Sequence, residues 1–215
     1  MRKSEKESMP NKRFYEKYAN ASLKFFYGEN HKNFVLSESP DLQNEKDNIG
    51  VEVTRGISEY EGRLSRLANE CMEQNLPLDK RVTRANKMFR KNFLGMFHEN
   101  LGFVIADPSN SSDCGEIHVR HILEKIKIKT DKLENLYKKF DWNCLYVFAE
   151  YPLKSKHIWI LTDLLSAEQL HKYDIYFINA LDRLYIINAR KEFKFQKHSF
   201  SATELGEFTE EAYKD

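Results

Sequence analysis

The residues whose types and spacing best suit chemistry are two carboxylates, Asp41 and Glu52, within SPDLQNEKDNIGVEVT. Ile49, Val51 and Val53 alternate with Gly50, Glu52 and Thr54, the period of two that marks a strand. Glu52 and Thr54 therefore project from one face of it. Residues 44–48, NEKDN, form a polar turn. If Gln43 pairs with Gly50 across that turn, Asp41 lies opposite Glu52, with Cβ atoms about 5 Å apart. Carboxylates that close repel unless a cation lies between them, and Mg²⁺ takes such oxygen ligands while retaining several waters. A solvent-facing strand pair that happens to carry acids is the plainer alternative, because the motif is short.

A lysine and a basic ridge extend the pattern. On a helix expected over residues 116–139, Ile122, Ile126, Leu133 and Leu136 fall within one arc, with Lys129 in its middle. An ammonium on a core-facing stripe needs a carboxylate partner or an escape to solvent along its own stem. The first option brings its charge to the acidic pair. From Asp79 to Asn92 six basic residues face a single acid. Of these, Lys80, Arg84, Lys87 and Lys91 lie within about 60° of one another on a helix. Val82, Ala85, Phe89, Phe93 and Met96 take the other side. Such a ridge suits a phosphate backbone, where affinity is largely electrostatic, although a solvated face has the same pattern. Cys114, His118, His121 and His98 do not have a recognised zinc spacing. Walker, nucleophile-elbow and dinucleotide-glycine patterns are missing, which removes support for those enzyme classes.

The elements that must position these groups alternate in type. Pro10 and Gly28 bracket a helix over about 11–27, with Phe14, Tyr18, Ala21 and Phe25 on one stripe. A β-meander follows over 33–55, then helices over 59–75 and 80–97 and a short strand in GFVIAD, 102–107. After the helix over 116–139 come a buried strand over 142–150 and a helix over 163–172. IYFIN and LYIIN then form paired strands, FKF at 193–195 an edge strand, and 201–213 a last helix. The order predicts an α/β fold, a mixed sheet flanked by helices, in one domain over 1–215 with a helical insertion over about 59–100.

Composition agrees with an ordinary globular chain: 41% hydrophobic and 31% charged residues, with 15 Phe and 11 Tyr to fill a core. A formal net charge of +1 says nothing about partners by itself. Three cysteines without CxxC spacing suit a reducing cytoplasm. No apolar run reaches the roughly 18 residues of a membrane span, and MRKSEKESMP has no apolar signal core, so a membrane role is not expected. Self-association is left open.

SPDLQ, followed after five residues by IGVEVT, resembles the signature of the PD-(D/E)xK nuclease superfamily, the restriction-endonuclease-like proteins. ILEKIKIKTDKLENLY is similar to the helix that carries a relocated lysine in some members, and LYVFAE and IYFINALDRLYIIN look like the strands that complete such a sheet. The resemblance spans about residues 11–190 and implies an αβββαβ core with metal-dependent hydrolysis of phosphodiester bonds, in DNA. By position it makes Asp41 and Glu52 ligands of Mg²⁺ or Mn²⁺. Thr54 stands where many members have lysine, a charge that Lys129 would restore from the helix. Thr54 would then hydrogen-bond water or a ligand, and Lys80, Arg84, Lys87 and Lys91 would hold the backbone. Many members also place a glutamate of the first helix at the site. Here Glu16 lies about 200° round from Phe14 and is expected to face solvent. A catalytically eroded protein on this fold, binding DNA or a protein partner, is the alternative.

Overall fold

A computed structural model describes residues 12–28, 33–58, 62–63, 66–67, 77–89, 95–98, 102–105 and 114–214. The chain divides into two compact units, Pro10–Ile57 with Gly115–Asp215, and one built on Ser58–Cys114.

The first unit is a seven-stranded mixed sheet with helices on both faces. Its elements are α1 (Lys12–Tyr27), β1 (Val35–Leu36), β2 (Leu42–Asn44), β3 (Ile49–Arg55), α3 (Cys114–Asn135), β6 (Trp142–Phe148), α4 (Ser155–Ala167), β7 (Ile175–Ala180), β8 (Arg183–Asn188), β9 (Lys194–Ser199) and α5 (Ala202–Tyr213). The strand order is β1-β2-β3-β6-β7-β8-β9. β3, β6 and β7 run parallel, and the other neighbours are antiparallel. The α/β class and the mixed sheet flanked by helices are as expected from the order of elements. In the second unit, α2 (Leu78–Phe89) precedes an antiparallel hairpin of β4 (Gly95–His98) and β5 (Gly102–Ile105).

Alternation sorts β3 between two cores. Val51 and Val53 pack with Tyr18, Ala19 and Leu23 of α1 and Phe208 and Ala212 of α5. The even positions face the layer of α3 and α4, where Ile122, Ile126, Ile158 and Leu161 are fully buried. Gly50 lies on that second face, where a Cβ would come within 2.5 Å of the Phe140 ring and 2.8 Å of Pro40, so only glycine admits this approach. The β2–β3 turn is held by Asn44, whose amide donates to Asp47 Oδ2 at 2.7 Å and whose Oδ1 accepts from the Asp47 N–H at 3.1 Å.

The α1 face also buries a neutral polar cluster. Ser22 donates to the Ala19 carbonyl at 3.0 Å, so the Tyr146 hydroxyl, 2.9 Å away, donates to Ser22 Oγ. Tyr146 in turn accepts from the Asn179 amide at 2.8 Å. Nearby, a cavity of about 200 Å³ is lined by Leu23, Tyr27, Val51, Trp142, Cys144 and Phe177 among others.

Four sequence expectations need correction. The buried arc of α1 is Glu16, Ala19, Ser22 and Leu23, with Tyr18 beside it, whereas Phe25 is exposed. Phe14 faces α5, its ring 4.8 Å from Tyr213, so a face measured from Phe14 is the wrong one for the sheet. Glu16 is consequently buried, not solvent-facing. Second, residues 95–97 are strand, because GMFH finds a partner in GFVI and cross-strand pairing overrides helical spacing. Third, α4 begins at Ser155, well before 163. Its cap uses His157, whose Nδ1 accepts from the Lys154 N–H at 3.1 Å, in place of the usual glutamate. Fourth, Leu136 lies beyond the end of α3 and is exposed. Most of the expected helix over 59–75 falls outside the described residues.

Candidate functional site

The pairing of Gln43 with Gly50 is present, followed by Leu42 with Val51, so continuing the ladder brings Asp41 opposite Glu52. Asp41 stands just before β2, where the chain turns away through a hydrogen bond from the Ser37 N–H to the Asp41 carbonyl at 2.8 Å. Its carboxylate replaces the missing ladder acceptor: Oδ2 accepts from the Val53 N–H at 2.8 Å. Both acids are buried, with 1% exposure at Asp41 and 3% at Glu52. Neither is a surface acid of a wet strand.

Glu52 takes its partners from above the sheet. Lys129, one-sixth exposed on α3, donates to Glu52 Oε1 as a salt bridge. The Tyr137 hydroxyl donates to the same oxygen at 2.9 Å. Tyr137 lies just past the end of α3, where its N–H bonds back to the Lys132 carbonyl at 3.2 Å and keeps the ring over the strand. The Tyr173 hydroxyl donates to the Lys129 backbone carbonyl at 3.0 Å and not to the carboxylate. Burial pushes the Glu52 carboxyl above the usual carboxylate range; Lys129 opposes this and the Asp41 charge adds to it.

Glu52 Oε2 has no hydrogen-bond partner among the described residues, although it is buried. A buried carboxylate oxygen without a donor is costly, and the neighbouring Asp41 raises the negative potential there. A hard divalent cation matches that position in charge and donor type. Among the described residues no group of three or more His, Cys, Asp or Glu side chains forms a metal cage. Two carboxylates suffice for an ion that keeps much of its water, as Mg²⁺ does.

Thr54, two positions along β3, shares the Glu52 face by alternation and is half-buried. Glu16 belongs to the layer on the opposite face. On α2, Lys80 and Lys87 are exposed and Arg84 is half-buried. Lys91 lies outside the described residues. Val82, expected on the apolar side of α2, is exposed, while Ala85 is buried. His118 stacks on Tyr151 at 4.1 Å and lies 5.9 Å from His121. Tyr137 is the site residue that sequence reasoning misses. Its only signal is a position two helical turns past Lys129, and the helix ends before reaching it.

Compared with known proteins, the chain matches no family model, no curated protein and no solved structure.

Proposed function

We propose that the protein is a metal-dependent nuclease of restriction-endonuclease-like type, hydrolysing phosphodiester bonds in DNA. One observation carries this reading: a buried Glu52 beside a buried Asp41, with lysine and tyrosine on one oxygen and no donor on the other among the described residues. Asp41 and Glu52 would hold Mg²⁺ or Mn²⁺. Such an ion supplies Lewis acidity to a phosphate oxygen and charge neutralisation to a phosphodiester undergoing attack. Lys129 places a fixed positive charge at the same point, where it stabilises negative charge developing on phosphorus oxygens. Thr54 offers a hydroxyl on the same face to orient a water. The sheet layer under α3 excludes bulk solvent from Glu52, which strengthens each of these interactions.

The basic side chains of α2 supply the phosphate contacts in this reading. Replacing Lys80, Arg84 and Lys87 together with glutamine is expected to weaken retention of duplex DNA and flatten the dependence of affinity on salt. The enzymatic part is tested by cleavage of plasmid and oligonucleotides in Mg²⁺ and Mn²⁺, with Mn²⁺ binding measured by calorimetry on native protein and Asp41→Ala. Binding and cleavage that both vanish in the variant support it.

A second reading is favoured by Thr54 standing in the lysine position and by a donor set of only two carboxylates among the described residues. It is a catalytically eroded protein that binds DNA or a protein partner. DNA binding indifferent to both metal and Asp41→Ala would select it.

A further inference from the structure

Both donors that reach Glu52 meet on a single oxygen. Lys129 Nζ and the Tyr137 hydroxyl each donate to Oε1, while Oε2 is buried with no hydrogen-bond partner among the described residues, in a carboxyl that feels the Asp41 charge. A carboxylate free to turn would offer a cation either one oxygen or both. This one cannot turn without breaking two hydrogen bonds, one of them charge-assisted. Oε1 is therefore already committed, and Oε2 is the oxygen left for an ion.

Resting on the nuclease reading, we infer that Tyr137 is a positioning residue for the cation. With Lys129 it reserves Oε1, so that Glu52 binds the ion through Oε2 alone. Single-oxygen coordination suits the small octahedral ions Mg²⁺ and Mn²⁺, whereas Ca²⁺ favours carboxylates that swing to present both oxygens. Tyr137 thereby sets which ion the site accepts as well as how tightly. Its phenol acts only on the ligand, as the outer partners of metal sites do. Tyr173 supplies an internal contrast, because its hydroxyl reaches the Lys129 backbone and not the carboxylate.

The test uses the whole chain, with Mn²⁺ and Ca²⁺ titrated separately by calorimetry into native protein, Tyr137→Phe and Tyr173→Phe, each checked for a native melt. Tyr137→Phe is expected to lose roughly tenfold in Mn²⁺ affinity, and to lose less for Ca²⁺ because Oε1 is partly released. Tyr173→Phe is expected to keep the native affinity for both ions. A folded Tyr137→Phe with unchanged Mn²⁺ affinity, an equal loss for Ca²⁺, or an equal loss in Tyr173→Phe overturns the inference and leaves the nuclease reading standing. Native protein that binds no Mn²⁺ in an Asp41-dependent way overturns the nuclease reading and this inference with it.

Discussion

Two clusters of buried polar groups, one on each face of the central sheet, are built in opposite ways. Under α1, Ser22, Tyr146 and Asn179 form a neutral chain in which each hydroxyl finds a partner. Under α3, the charged Asp41, Glu52 and Lys129 meet the Tyr137 hydroxyl, and one buried oxygen of Glu52 has no donor among the described residues. A neutral, satisfied network stabilises and specifies packing. A charged cluster with an orphan oxygen is destabilising by itself and becomes favourable when something positive binds. In the nuclease reading, the contrast separates a scaffold cluster under α1 from a working cluster under α3, within a single unit.

The largest expected effect breaks the working cluster. Glu52→Gln removes the anionic ligand, so Mn²⁺ binding is lost and cleavage falls by several kcal/mol of transition-state stabilisation, roughly 10³-fold or more. Retained cleavage would end the nuclease reading. Lys129→Met comes next, with a fall of roughly 10²–10³-fold in cleavage rate, the usual cost of removing one preorganised donor. Single-turnover kinetics at saturating Mn²⁺ measure it.

In the scaffold cluster the outcome should invert. Tyr146→Phe removes one of the Asn179 amide's two phenol partners, leaving Tyr18, and deprives Ser22 of a donor, costing about 1–3 kcal/mol of stability in denaturant melts. Its Mn²⁺ affinity should stay native, and a matching loss there would erase the distinction between the clusters.

The smallest effect is a titration. In ion-free protein the Glu52 carboxyl resonance should titrate above the ordinary carboxylate range, and Lys129→Met should move it higher still, because the lysine holds it down. As the folded value lies above the unfolded one, the stability linked to this group is complete below the unfolded pKa and is lost as pH rises through the folded value. A midpoint at or below the ordinary range would show that burial does not dominate at Glu52.

Much of the site is legible in the amino-acid sequence. Alternation in IGVEVT and the polar turn NEKDN are local signals, and together they determine which residues pair and which face Glu52 takes. Lys129 is legible for a similar reason: an ammonium amid Ile122, Ile126 and Leu133 has few places to go. Glu16 is misassigned by periodicity because α1 packs on two neighbours at once. Phe14 serves α5, and the sheet-facing arc is rotated away from it. Helical periodicity alone cannot say which of two apolar arcs meets the sheet. The start of α4 escapes a reading of capping residues because lysine stands at the N-cap and histidine takes the place of the usual glutamate at N3.

The chain's own pattern thus settles the α/β class, the hairpin register and the inward lean of one lysine, all of which follow from side-chain period and turn chemistry over short stretches. Tertiary structure alone decides that Lys129 and Tyr137 share one oxygen of Glu52, that Asp41 also braces β3, and that Glu16 is buried. These depend on how α1 and α3 seat against the sheet, and contacts between residues 77 and 85 positions apart in sequence leave no local trace.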